Sequence, residues 1–148
     1  MILISHRGNV NGPNKDFENH PLYIDLAIEQ GYDVEIDLWM KNGNLYLGHD
    51  EAEIEIDSDY LAERKNELWI HCKNYLALSY CIDNNLHCFY HDTDDYTITS
   101  QGFVWAYPGQ PLSSKKCVMV KPELFGYPTV DGYFAVCSDN VERIQEYA

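Results

Sequence analysis

The stretch that most constrains the fold is DVEIDLWM, Asp33–Met40. Successive side chains of an extended chain point to opposite sides, so Val34, Ile36, Leu38 and Met40 share one face. Glu35 and Asp37, spaced i, i+2, share the other. The apolar face must pack on a core. Two carboxylates on one face repel each other unless a cation sits between them or water solvates both. Oxygen ligands of this kind favour Mg2+ or Ca2+, and a solvated acidic face without an ion is the alternative. Asn42–Gly43 follows directly as a hairpin turn signal, and Leu45–Asp50 reads as the returning strand.

The rest of the chain arranges itself around this strand. Met1–Ser5 is a short apolar strand ending at His6, and Gly8 to His20, rich in Gly, Asn and Pro, is a loop. Pro21 opens a helix that carries Leu22, Leu26 and Ala27 at helical spacing and stops at Gly31. Glu51–Asp57 alternates acid and apolar residues, as an edge strand or an arm would. Ser58 or Asp59 caps a short helix reaching Lys65, Leu68–Lys73 is a further strand and Tyr75–Asn84 a helix. Beyond it, His87–His91, Gly102–Tyr107, Cys117–Lys121 and Gly132–Cys137 read as strands separated by loops, and Val141–Tyr147 as a closing helix.

The chain has 148 residues, 45% of them apolar, which suits one domain over 1–148. Its early strand–helix–strand rhythm predicts a parallel α/β sheet, and seven or more strands predict a sheet rolled towards a barrel. A full eight-fold barrel takes about 250 residues. The expected fold is therefore a compact, reduced TIM-type (β/α) barrel with several outer helices missing or shortened. Such a barrel leaves strand backs bare, so a homodimer is expected to cover them.

A formal charge of −14 repels a phosphate backbone and argues against nucleic acid as a partner. No run is long and apolar enough to span a bilayer. The opening MILIS is too short for a secretory signal, so a cytoplasmic location is expected. Cys72, Cys81, Cys88, Cys117 and Cys137 are odd in number, form no C-x-x-C and mostly sit in apolar runs. They read as buried thiols rather than a disulfide framework.

In a parallel α/β fold, functional residues gather at the carboxyl ends of the strands. There stand His6-Arg7, the Glu35/Asp37 pair, His49-Asp50, His71 with Lys73, and His91. A lone imidazole is more often structural. Two, beside an arginine and a carboxylate pair, point to acid–base work near neutral pH. Arg7 offers a planar fork suited to phosphate oxygens, and Lys73 a further positive charge.

Weaker signals surround these. In FYHDTDDYTITS, Asp94 and Asp95 read as solvated turn acids beside His91, and D-T-D-D lacks the glycine and glutamate of an EF-hand loop. His87 and His91 flank Cys88, but on the strand that CFY predicts they stand too far apart for zinc. Trp39, Trp105 and Tyr107 read as packing. Lys121-Pro122-Glu123 and Ser138-Asp139 follow late strands and are placed to reach the mouth of the site, without a diagnostic spacing.

HRG at 6–8, Glu18-Asn19 before the first helix, EID at 35–37 and GHD at 48–50 occur in an order that resembles the glycerophosphodiester phosphodiesterase family, relatives of the phosphatidylinositol-specific phospholipases C. HCK at 71–73 stands where that family has Glu-x-Lys. The resemblance covers roughly the first half of the chain. It implies a TIM-type barrel, a divalent cation and two histidines acting on a small glycerophosphodiester-like substrate. By position, His6 and His49 take the acid–base roles, Arg7 and Lys73 the phosphate, and Glu35, Asp37 and His71 the cation. Glu18 steadies the site from a loop, with Asp50 and His91 as further supporting groups.

His71 departs from the pattern, because the family has a carboxylate there. An imidazole removes a negative charge, which weakens the hold on Mg2+ or Ca2+ or shifts preference to Mn2+ or Zn2+. A purely structural His71 in an inactive protein is the other outcome. The expected function is a metal-dependent phosphodiesterase. The alternatives are a non-catalytic phosphate or head-group binding module, and a lyase releasing a cyclic phosphate.

Overall fold

Strand β2, Asp33–Lys41, is the spine of the sheet in the computed structural model, which describes residues 1–113 and 115–147. Its first half pairs in parallel with β1, Ile2–His6, along one edge. On that edge β3, Asn44–Leu47, takes over beyond β1 as the antiparallel return of the Asn42–Gly43 hairpin. Its other edge pairs in parallel with β5, Leu68–Cys72. Strand β4, Ile54–Ile56, extends the hairpin side. Strand β6, Cys88–Tyr90, extends β5.

From β1 the sheet continues in parallel through β10, Ala135–Ser138, β9, Cys117–Val120, and β8, Val104–Ala106. It ends with antiparallel β7, Tyr96–Ile98. Phe89 of β6 stacks on Trp105 of β8 at 4.4 Å between ring centroids, so the sheet curls until its two wings face each other. No ladder joins those wings among the described residues; Ser100 N–H donating to the Cys88 carbonyl at 2.8 Å is one of the bonds that bridge them.

The expected TIM-type (β/α) barrel is thereby corrected. The architecture is a mixed sheet of ten strands curled into a half-barrel, with four small helices that do not alternate with the strands. The helices are α1, Pro21–Glu29, α2, Ser58–Glu63, α3, Tyr75–Asp83, and α4, Val141–Tyr147. Parallel neighbours need a crossover of about a dozen residues or more, usually helical. The second half of this chain uses a tight β7–β8 hairpin instead, and only a 3-10 turn at Pro122–Phe125 lies between β9 and β10. Strand β7 lies in a segment read from sequence as a polar loop, and Asp57, not Ser58 or Asp59, caps α2 by accepting from Tyr60 N–H.

Three cores form among the described residues, the smallest of Val130, Val136 and Ile144, and the two larger ones follow from the period-two alternation. The convex side of the sheet presents Val34, Ile36, Leu38, Leu68, Ile70 and Cys72, which pack under α1, α2 and α3 with Ile24, Ala27, Leu61, Ala77 and Cys81. The concave side holds Ile4, Trp69, Phe89, Trp105, Val118 and Ala135. Polar groups occupy the rim of that concave side at the carboxyl ends of the strands. No helix among the described residues is long and apolar enough to cross a membrane.

At the opposite end of the concave core, His87 is buried 4.2 Å from the Trp69 ring and shares a 2.8 Å hydrogen bond with the Thr99 hydroxyl. Burial pushes its pKa down to about 4 from the ordinary 6.5. The unfolded chain therefore takes up a proton that the folded chain refuses. This stability is complete above pH 6.5 and falls away towards pH 4, by on the order of 3 kcal/mol. Urea melts at pH 7 and pH 4.5 should show a steeper acid loss in the parent than in His87→Gln. Equal losses would mean that His87 does not titrate in this way.

Candidate metal centre

The concave rim gathers groups from five separate segments. Strand β1 delivers His6 and Arg7, β2 delivers Glu35 and Asp37, β5 delivers His71, the loop after β3 delivers His49 and the loop before α1 delivers Glu18 and Asn19. The register explains why they meet. His6 stands opposite Glu35, and Asp37 opposite His71, on neighbouring parallel strands.

Glu35 and Asp37 are 2% and 0% exposed, so water solvates neither. Asn19 takes up part of Asp37, donating from Nδ2 to Oδ2 at 2.9 Å while its own Oδ1 accepts the Asp37 N–H at 2.9 Å. Arg7 Nε stands 3.0 Å from the same Oδ2. Glu35 Oε1 and Asp37 Oδ1 are left buried without a hydrogen-bond partner. Burial first, then the Asp37 charge, push Glu35 well above the usual carboxylate range. Burial pushes Asp37 the same way, but contacts from His49, His71 and Arg7 outweigh it and hold Asp37 well below that range. Two neighbouring acids driven in opposite directions are a mark of a functional site.

His71 decides the chemistry of the gap. One ring nitrogen, Nε2, lies 2.8 Å from the His91 carbonyl. A carbonyl only accepts, so Nε2 carries a proton and Nδ1 is the ring nitrogen turned inward. Nδ1 faces Asp37 Oδ1 at 3.2 Å and Glu35 Oε2 at 3.7 Å. One ligand atom from each of Glu35, Asp37 and His71 lies within 4.8 Å of the others. A metal-binding imidazole characteristically donates its other N–H to a carbonyl in this manner. Two carboxylate oxygens and one imidazole fit a divalent cation, with the nitrogen favouring Mn2+ or Zn2+ over Mg2+ or Ca2+.

The two remaining histidines flank this gap in different states. His6 Nδ1 donates to Asp139 Oδ1 at 2.6 Å, leaving Nε2 3.7 Å from Glu35 Oε1. Asp139 also accepts from Asn9 Nδ2 at 2.9 Å and pairs with Lys121 Nζ at 3.0 Å. Burial pushes the Asp139 carboxyl up, yet these donors bring it far below the usual range, so it stays ionised. Glu123 fixes its backbone by accepting the Asp139 N–H at 2.8 Å. His49 is more open; its Nδ1 accepts from Arg7 Nη2 at 2.7 Å, which places the ring proton on Nε2.

Arg7 is less free than the sequence suggested. It donates to Glu18 Oε1 at 3.1 Å and to His49, so its fork is already tied into the rim. Burial disfavours its charge, but Asp37, Glu35 and Glu18 together raise its pKa. Lys73 follows β5 close enough for its charge to lower Glu35. Asp50 is exposed and reaches His49 Nε2 only at 3.6 Å, and His91 contributes its carbonyl rather than its ring. Burial and then His71 lower the His91 pKa. A cleft of about 310 Å3, lined by Arg7, Lys15, Glu18, Asn19, His49, Asp50 and Glu53, adjoins the rim.

Three contributors carried no role from sequence: Lys121 and Asp139, read only as placed to reach the mouth, and Asn19, read only as part of the Glu18-Asn19 motif. Each lies just past a strand end or before a helix, and no spacing linked Asp139 to His6 across 133 positions. Comparison of the chain with known protein families, with curated proteins and with solved structures returns no match.

The metal-free rim is an electrostatic burden, so removing one acid should relieve it. Glu35→Gln is expected to raise the melting temperature of the chelated protein by roughly 3 °C, equivalent to about 1 kcal/mol. The same change should abolish the further rise that Mn2+ gives the parent. An identical Mn2+ response in both proteins would remove Glu35 from the centre.

Proposed function

We propose that the chain is a metal-dependent phosphodiesterase acting on a small glycerophosphodiester-like substrate. The observation that carries this reading is the convergence of Glu35, Asp37 and His71, with Glu35 Oε1 and Asp37 Oδ1 buried without a hydrogen-bond partner, beside a histidine held by a buried aspartate. A divalent cation on Glu35, Asp37 and His71 would supply charge stabilisation to a phosphate oxygen.

The chain's own residues supply the rest. Asp139 holds the His6 Nδ1 proton, so Nε2 is the lone pair that takes a proton from the attacking hydroxyl. Arg7 holds His49 at Nδ1, so Nε2–H is the donor for the leaving alkoxide. Arg7 keeps further N–H groups beyond those given to Glu18 and His49. These, with Lys15 across the cleft and Lys73 nearby, are the donors for the phosphate. Attack by water gives a hydrolase, and attack by a substrate hydroxyl gives a lyase with a cyclic phosphate product. Cys72, Cys81, Cys88 and Cys137 are buried thiols, which suits a reducing compartment such as the cytoplasm. A second copy over exposed Tyr96 and Ile98 of β7 is the proposed dimer contact.

The test strips metal with a chelator, restores Mg2+, Ca2+, Mn2+ or Zn2+ singly, and follows a panel of glycerophosphodiesters by phosphorus NMR. Turnover is expected with Mn2+ or Zn2+ at least as high as with Mg2+. His6→Ala and His49→Ala should each lose about 10²–10⁴-fold in kcat. Asp139→Asn should lose at least about 10²-fold, because an amide can turn its own N–H towards the ring and fix the wrong tautomer. Retention of head groups without turnover under every metal would replace the enzyme with a binding module.

A further inference from the structure

The convex side of the sheet holds a second cluster that this chemistry does not use. Cys72 ends β5, Cys81 lies on α3 and Cys88 begins β6, so one strand–helix–strand unit supplies all three. Strands β5 and β6 run parallel, with Ile70 opposite Cys88, and α3 packs across them. Alternation turns Cys72 away from His71, and Cys88 away from Phe89, onto the helix side. The three sulfurs lie within 4.8 Å of one another and are 0%, 0% and 1% exposed.

Ordinary burial of small apolar side chains does not require this meeting. Leu38, Ile70, Ala77 and Leu86 belong to the same core, yet the sulfurs face each other. The Cys72 thiol reaches the Ile70 carbonyl only at 3.9 Å. Sulfurs bound at about 2.3 Å around a trigonal ion stand roughly 4 Å apart, so the cluster needs to contract by only a few tenths of an ångström on each side.

The donor set selects the ion. Three thiolates without nitrogen or oxygen favour a soft cation. Structural zinc takes four ligands, and the neighbouring oxygen, Ser100 Oγ, already accepts the Cys88 N–H at 3.0 Å and donates to the Leu86 carbonyl at 3.4 Å. A trigonal sulfur site without a fourth donor suits monovalent copper. A hollow of about 430 Å3 lined by Ile82, Asn85, Leu86, Ser100 and Gln101 borders the next residue after Cys81 and the hydrogen-bond partner of Cys88.

We propose that Cys72, Cys81 and Cys88 bind one copper(I) ion through their three sulfurs, on the opposite side of β5 from the His71 centre. Binding displaces the thiol protons and involves no change of oxidation state. The site is independent of the proposed hydrolysis.

The test uses the full chain, reduced and kept anaerobic, titrated with copper(I) held by a bicinchoninate chelator. The parent is expected to withdraw a single equivalent and to develop the luminescence of a solvent-shielded copper(I) thiolate. Asp37→Asn should behave as the parent. Cys81→Ala and Cys88→Ser should each weaken binding by roughly 100-fold or more. No transfer to the parent, or unchanged transfer to both cysteine variants, overturns the site. Should either variant fail to fold by circular dichroism, X-ray absorption on the loaded parent decides: a shell of sulfur alone supports the proposal, and nitrogen or oxygen scatterers overturn it.

Discussion

Repulsion between Glu35 and Asp37 is the interaction to which the concave rim answers. Both carboxylates project from the middle of the most heavily paired strand, where water does not reach them. Left alone, two such charges would cost several kcal/mol in desolvation and repulsion. The surrounding groups offset that cost unevenly. Asn19 and Arg7 take one side of Asp37, while Glu35 is left facing His6 and His71. The result is a polarised pair, one acid firmly ionised and the other driven towards its neutral form.

Holding that pair requires a stiff support and some backbone strain. Stiffness comes from the convex core, where the apolar face of β2 is sealed beneath the helices. Strain is visible at three rim positions. Arg7, Asn19 and Lys121 adopt φ of 60°, 64° and 52°, in the left-handed region that side chains usually avoid. Arg7 in that conformation donates its N–H to the Glu35 carbonyl, while its own carbonyl accepts from Asn19, which ties the loop before α1 to β2. The glycines of the two motifs allow the same close approaches. A Cβ at Gly8 would meet the Tyr23 ring at 2.5 Å, and one at Gly48 the Glu51 carbonyl oxygen at 2.0 Å.

Local pattern located elements in both halves of this chain but did not show how those of the second half connect, for a physical reason. The alternation of DVEIDLWM fixed which way Glu35 and Asp37 point, and the hairpin signal placed His49 near them. Parallel register with β1 and β5 then aligned His6 and His71 with the acids. The strands from β6 onward have only three or four residues, and sequence pattern located β6, β8, β9 and β10 but missed β7. Strand β7 exists because Tyr96–Ile98 pairs with β8, a tertiary fact that no local window contains. Asp139 belongs to the same class. Its role comes from β10 lying beside β1, which sets the residue after β10 against His6. The barrel expectation failed because early strand–helix–strand rhythm was extended to a region where hairpins and loops make the connections.

Strand β5 shows how far a two-residue period can separate chemistries. His71 and Cys72 are neighbours in sequence, yet they serve opposite sides of one sheet. His71 turns a nitrogen towards two carboxylates on a rim that a polar cleft adjoins. Cys72 turns a sulfur towards two other sulfurs in an apolar layer. Ligand softness follows the environment on each side. Carboxylates can be held where Arg7 and Asn19 can reach them, whereas thiols can be buried unaided because they cost little to desolvate when neutral. A slip of one residue in the β2–β5 register would bring sulfur to the rim and imidazole to the core, and would ruin both clusters together. The pairing of Asp37 with His71 and of Leu38 with Cys72 is therefore one constraint with two consequences.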